Sequence, residues 1–328
     1  ALYLNNLGCE VTILDSFNVN NIATNAVNKS DFANSNLYRS FLDERIALVN
    51  KNAIKIKICD VNNSALLTQE ILKHQYDAVY LMSAVAHASR ANQDPILAWR
   101  ATLSPLEICI SVLSNTPQTR LVFMSSSTVY GHFEKSIVDE NDICKPFGVY
   151  ATYKYAIELM LAAIANNSDL NYSVARPSAL YGERCISRRV CQVFLENSFS
   201  GVTNVFHGDV DERLDFTYIW DLCEGLALIG FHEKAKGEVF NLTAGDAREV
   251  LISIDVLKQY FPSTTVKILP RNQATPKRGT LSNAKARELV GFSPKYKFEK
   301  GYSKYIEWFI DHVKQNNLIL TDSVQLNE

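Results

Sequence analysis

The sequence predicts an α/β protein built on a doubly wound parallel sheet. Apolar, β-branched runs recur at VTILD (11–15), AIKIKIC (53–59), AVYLMSA (78–84), RLVFMSS (120–126) and NYSVARP (171–177). These runs are apolar on successive residues rather than alternating, the pattern of parallel strands covered on both faces. Helical stretches separate them, which is the alternation of βαβ units.

Taken in order, ALYLNNLGCEVTILD reads as the end of a helix followed by a strand. A Rossmann-like unit ordinarily starts one strand earlier, with a Gly-rich turn that holds a pyrophosphate at a helix N-terminus. The expectation is a fragment whose first strand and Gly-rich turn are missing. The alternative is compromised nucleotide binding. Residues 16–52 read as an insertion, an Asn-rich polar loop followed by the helical piece NLYRSFLDERIALV. Helices are expected at 65–75, 95–114 and 149–166. Beyond Arg176 the pattern loosens. A helix near 187–199 leads to a short strand near 204–206, FTYIWD (216–221), a helix, VFNLT (239–243), a helix, TVKILP (265–270) and two closing helices. Residues 1–177 thus read as a Rossmann-like domain. Residues 178–328 read as mainly a smaller α/β substrate-binding region, interwoven with the first.

Composition narrows the function. Of 328 residues, 47 % are hydrophobic and 21 % charged, a folded-protein balance, and the net charge of −2 offers no case for nucleic acid or an anionic membrane. No apolar run is long enough to span a bilayer, and no signal-peptide pattern opens the sequence. Seven scattered cysteines form no paired CxxC motif, so no metal site is expected and buried thiols in a reducing cytoplasm are.

The chemistry concentrates in two pieces. LVFMSSSTVYG (121–131) ends an apolar strand in three serines, at the carboxyl edge where parallel sheets place ligands. GVYATYKYAIELML then carries Tyr150 and Lys154 four apart, on one helix face with about 6 Å between their Cβ atoms. A lysine so placed favours a phenolate, drawing a pKa near 10 downward, and a serine hydroxyl can steady or relay a proton. Tyr296 and Lys300 repeat the spacing, but after a proline and without a strand-end serine, so that copy reads as accidental.

Over nearly its whole length the chain resembles the extended short-chain dehydrogenase/reductase superfamily, in particular its nucleotide-sugar epimerase/dehydratase branch. LVFMSSSTVYG, YATYK, RPSALYG (176–182), ERLDFTYIWDLCEG (212–225) and NAKARELVGFSPKYKFEKGY (283–302) occur in that family's order. The resemblance implies Ser126, Tyr150 and Lys154 as catalytic residues and NAD as cofactor. It places Asp15 at the adenosine ribose, Asp60 and Val61 beside adenine, and Met82, Ser83 and Ala84 along the dinucleotide. Tyr150, Lys154 and Pro177 complete the cofactor set. Asp15 also reads as a strand-end turn residue, and residues 82–84 as a buried strand end.

The resemblance implies a nucleotide-diphosphate sugar as substrate, met by Ser126, Ser127, Ala179, Arg184, Arg189, Arg213 and Arg278, because a diphosphate needs forked cationic donors. Each arginine, and Arg188 with them, also reads as a solvated or salt-bridged surface residue. His87 reads as facing the sugar or as structural, and Trp308 and Phe309 as core. Departures from the pattern are Thr102 where the family often has Asn, Pro105 for a common Gly, and Ala179 for Asn. Ser127 and Thr128 stand where a 4,6-dehydratase would resemble Asp-Glu, which argues against that elimination. The implied activity is NAD-dependent epimerisation through a transient keto-sugar. The alternatives are a nucleotide-sugar reductase, dehydrogenase or decarboxylase, and a scaffold that binds without chemistry. A cytoplasmic homodimer through helices 95–114 and 149–166 is expected.

Overall fold

The computed structural model describes residues 1–17, 34–85, 88–271 and 276–320. Most of the predicted insertion loop and His87 lie outside the described residues. The first half runs α1 (Leu2–Asn6), β1 (Thr12–Asp15), α2 (Ser35–Lys51), β2 (Lys55–Ile58), α3 (Ser64–Lys73), β3 (Ala78–Leu81), α4 (Ala88–Gln93), α5 (Pro95–Leu113), β4 (Arg120–Met124), β5 (Ile137–Val138), α6 (Gly148–Ala165) and β6 (Tyr172–Arg176). It continues through β7 (Leu180–Tyr181), α7 (Val190–Phe199), β8 (Asn204–His207), β9 (Arg213–Leu214), β10 (Thr217–Tyr218), α8 (Ile219–Phe231) and β11 (Glu238–Asn241). The last elements are β12 (Arg248–Glu249), α9 (Ile252–Tyr260), β13 (Val266–Leu269), β14 (Thr280–Leu281), α10 (Ala284–Val290) and α11 (Phe298–Gln315).

Strands β3, β4, β6 and β11 lie side by side and parallel, with Leu121 opposite Tyr172 and Ser173 opposite Glu238. Their side chains alternate between two separately covered faces. Leu121, Phe123 and Val174 meet Leu67 of α3, Leu106 of α5, and Ile157 and Leu161 of α6. Val122, Ala175 and Phe240 point the other way, onto Leu222 and Ile229 of α8 and Val290 of α10. Helices on both faces make the sheet doubly wound, and explain why the strand sequences are apolar without alternation. A fully buried phenylalanine such as Phe123 contributes about 1.5–3 kcal/mol by leaving water.

β1 and β2 pair in parallel, but as a separate two-stranded ladder not hydrogen-bonded to β3. The expected burial on both faces fails here: Ile58 is 75 % exposed. Lys55 pairs with Glu10 and Lys57 with Glu70, the charged dressing typical of an edge strand. FTYIWD is strand only at Thr217–Tyr218. The helix starts at Ile219, and the Asp221 carboxylate accepts the Lys295 and Tyr296 amides (2.9 and 3.1 Å).

Beyond residue 177 the chain divides its service. α8 and β11 return to the main sheet, whereas α7, α9 and α11 build a second aromatic core around Phe194, Phe216, Tyr302 and Phe309. Helix α2, from the predicted insertion, gives Leu37 and Phe41 to this second core. It is tied there by Tyr38 to Glu196 (2.9 Å) and Glu44 to Arg184 (3.0 Å). Trp308 and Phe309 sit in that packing, Phe309 fully buried.

Candidate active site

The site forms where β4 ends. Ser125 and Ser127 are pinned to the neighbouring chain by their amides, which donate to the Ala175 and Pro177 carbonyls (2.8 and 2.9 Å). Between them Ser126 caps a short 3₁₀ turn over Ser127–Tyr130, its Oγ accepting the Thr128 amide (3.2 Å). Helix α6 enters opposite. Its first residue, Gly148, has φ +81°, a conformation a side chain resists, and the Val149 amide donates to Oδ1 of Asn92 from α4 (2.9 Å). That cap fixes the entry point of the helix two residues before Tyr150.

Sequence reasoning brought Ser126, Tyr150 and Lys154 together, and the structure does the same. The Ser126 side chain faces the Tyr150 phenol and favours its ionised form. Lys154 is 2 % exposed, with Nζ donating to the Met124 carbonyl (2.6 Å) and lying 5.8 Å from the Tyr150 ring centroid. The electrostatics differ from the expectation. Burial raises the Tyr150 pKa above the ordinary 10, opposed first by the Arg189 guanidinium and then by the Ser126 side chain. Burial also draws Lys154 down to about 7, opposed by Glu158. In the bare protein, therefore, Lys154 does not produce a phenolate. Its amine is itself desolvated, and its hydrogen bond goes to a backbone carbonyl.

Sequence reasoning missed the next turn of the helix. Glu158 is 5 % exposed and accepts from Ser125 Oγ. Arg176, at the end of β6, grips both carboxylate oxygens through Nε (3.1 and 3.2 Å) and one through Nη2 (2.5 Å). Arg176 Nη1 also donates to the Tyr130 hydroxyl (2.8 Å), which donates to Asn241 Oδ1 (2.8 Å). The signal was available: Glu158 follows Lys154 at the same four-residue spacing as Lys154 follows Tyr150.

The arginines separate. Arg278 donates to Ser127 Oγ (3.3 Å) and is lowered to about 10 by burial; Glu212 opposes, while Arg189 and Arg271 lower it further. A half-buried guanidinium with two arginines near it and one glutamate opposing them suits an anion. Arg189, exposed at the N-terminus of α7, is near enough for its charge to favour the Tyr150 phenolate, and Arg278 reaches the neighbouring Ser127. Arg184 takes the salt-bridged reading. It is ion-paired to Glu44 and stands 5.5 Å from the Trp308 ring centroid, held by α2 and α11. Arg213 is exposed on β9, opposite Glu249 of β12. Ala179 takes φ +35° and lends its carbonyl to Thr217 (3.3 Å). Thr102 and Pro105 are buried in α5.

The cofactor residues line up along the carboxyl edge. Asp15 ends β1, exposed, at the rim of a cavity of about 390 Å³ lined also by Phe17, Arg45, Glu183, Arg184 and Trp220. Met82 is 53 % exposed just past β3, Ala84 is half-buried, and the buried Ser83 Oγ has no partner among the described residues. A carboxylate at a cavity rim and, just past β3, a hydroxyl without a partner among the described residues fit a dinucleotide lying across this edge. Asp15 and Asp60 each close a local turn as well, their Oδ1 atoms accepting the Phe17 and Asn62 amides (2.8 and 2.9 Å). Val61 packs against the main core, and Pro177 is buried with its carbonyl engaged by Ser127.

A family model described as the NAD dependent epimerase/dehydratase family matches residues 1–243. The chain is 24 % identical over 310 residues to a dTDP-glucose 4,6-dehydratase of Streptomyces niveus, covering 93 % of this chain and 85 % of that protein. It is likewise 24 % identical over 314 residues to a putative UDP-glucose 4-epimerase of Methanocaldococcus jannaschii, covering 94 % and 92 %. Its fold is similar to the crystal structure of UDP-glucuronic acid 4-epimerase from Bacillus cereus in complex with UDP-glucuronic acid and NAD. There the TM-score is 0.79 at 18 % identity, with 94 % of this chain and 93 % of that one covered.

Proposed function

Because the chain belongs to the NAD-dependent epimerase/dehydratase family, we propose that it epimerises a nucleotide-diphosphate sugar, with Tyr150 as the base. The observation that carries this reading is the contact of Ser126 with Tyr150, backed by Lys154 and followed by Ser127 and Thr128 rather than by carboxylates. Elimination of water needs an added acid and base, and those two positions offer hydroxyls only.

Asp15, Met82, Ser83 and Ala84 would hold NAD, with Tyr150 and Lys154 beside its reactive end. NAD, when bound, supplies the hydride acceptor and a positive charge near the phenol. Tyr150 takes the proton of the sugar hydroxyl, and Ser126 hydrogen-bonds the reacting oxygen. Lys154 keeps a donor and a charge behind the phenol. Arg278, crowded by Arg189 and Arg271, and the exposed Arg189 bind the diphosphate. The keto-sugar turns in the pocket and presents the other face of its carbonyl carbon for return of the hydride that the bound NAD would hold, and Tyr150 gives the proton back to the carbonyl oxygen. Positioned proton transfer of this kind is worth roughly 10²–10⁴ in rate.

The test is a panel of nucleotide sugars incubated with the NAD-loaded protein, products being separated by chromatography and mass spectrometry. An isomer of unchanged mass, no net change in free NADH, and loss of turnover in Tyr150→Phe are expected. A product lighter by one water would make the protein a dehydratase, the activity of its Streptomyces niveus relative. Unchanged turnover in Tyr150→Phe would remove Tyr150 from the chemistry.

A further inference from the structure

Three side chains of α6 meet three consecutive residues at the end of β4. Tyr150 faces the Ser126 side chain, Lys154 donates to the Met124 carbonyl, and Glu158 accepts from the Ser125 hydroxyl. The four-residue spacing puts all three on one helix face, so a small rotation or slide of α6 moves them together. Glu158 is also anchored from a third direction, by Arg176 from the end of β6.

Resting on the reading of Tyr150 as base, we propose that Glu158, clamped by Arg176, is a positioning residue. It sets the register of α6 against the Met124–Ser126 strand end and keeps the Lys154 ammonium behind Tyr150. The surroundings support this. Lys154 faces Tyr150 and Glu158 on its own helix, and the Phe123 ring (4.8 Å) and Met124 carbonyl on β4. Beyond these stand Arg176 behind Glu158 and Arg189 before Tyr150. Glu158 is the group that opposes desolvation of Lys154, which stands at about 7. Without that carboxylate the amine discharges at neutral pH, and a neutral amine does nothing electrostatically for a phenolate.

The experiment is an NMR titration of the protein labelled at lysine ¹³Cε, with the Lys154 signal assigned by its absence in Lys154→Met. It requires neither NAD nor substrate. The Lys154 midpoint is expected to fall by about one pH unit in Glu158→Gln, and to stay near the wild-type value in Glu158→Asp, which keeps the charge. In turnover, the alkaline limb of the kcat profile should move down in pH with the midpoint. A Lys154 midpoint identical in wild type and a folded Glu158→Gln would overturn the proposal. Should that variant unfold because Arg176 is left unpaired, Glu158→Gln with Arg176→Gln removes both charges and is held to the same two outcomes. A wild-type chain that converts no nucleotide sugar would refute the epimerase reading, while the titration still decides the role of Glu158.

Discussion

Replacing Lys154 by methionine should make the protein more stable and inactive. The structure sets the size of the effect. The amine titrates at 10.5 in water and about 7 in the fold. At about 1.4 kcal/mol per pH unit, that difference puts a ceiling near 5 kcal/mol on the cost of keeping this ammonium buried. Methionine has a similar length and carries no charge, so it removes that cost. Against this, the Met124 carbonyl loses its donor, at about 1–3 kcal/mol. A net gain of roughly 2–3 kcal/mol at pH 6 follows.

The sign with pH is determinate. Between about 7 and 10.5 the unfolded chain binds a proton on this amine that the folded one has lost, so wild-type stability rises with pH in that window. Below 7 both states are charged and the full cost stands; above 10.5 both are neutral and it is gone. The advantage of Lys154→Met should therefore be largest at pH 6, shrink through pH 8 and 9, and reverse at higher pH. Urea unfolding of both proteins at these pH values measures it, other titrating groups cancelling in the difference. A gap independent of pH, or a variant less stable than wild type at pH 6, would refute the reasoning.

Ala179→Gly should stabilise the fold by about 0.5–1 kcal/mol, because φ +35° strains alanine and not glycine; thermal unfolding reads it. Arg278→Met should raise KM for a nucleotide sugar about tenfold or more with a smaller change in kcat, as loss of a charge-assisted phosphate contact does. Equal KM values would place the diphosphate elsewhere. The proposed homodimer draws on the exposed outer faces of α5 and α6, where Ile96 is 64 %, Trp99 50 % and Leu159 54 % exposed. Light scattering should then give twice the chain mass, and Trp99→Glu should shift it toward the monomer. A wild-type monomer at micromolar concentration would exclude that face.

Much of the site was legible before any coordinates. The apolar runs at 78–84, 120–126 and 171–177 became β3, β4 and β6. The serines after RLVFM and the Tyr150–Lys154 spacing predicted the contact at the sheet edge. The arginines were not legible in the same way. Arg184, Arg189, Arg213 and Arg278 look alike in sequence, yet Arg184 is committed to Glu44, Arg278 reaches Ser127 from 151 residues away, and Arg213 stays exposed. β2 was misread: Lys55 and Lys57 alternate with Ile56 and Ile58, a pattern that already differs from the continuous apolar run of a strand covered on both sides.

What the amino-acid order determined by itself is what short-range geometry encodes: which residues share a strand edge, which share a helix face, and the types of group available there. Backbone sterics and the periods of helix and strand act within a few residues. The charge state of Tyr150 and Lys154, the clamp of Arg176 on Glu158, and the docking of α2 into the second core were decided only by the tertiary structure. These depend on how much water is excluded and on partners distant in the chain. Desolvation and Coulomb forces act through space, and sequence separation carries little information about either.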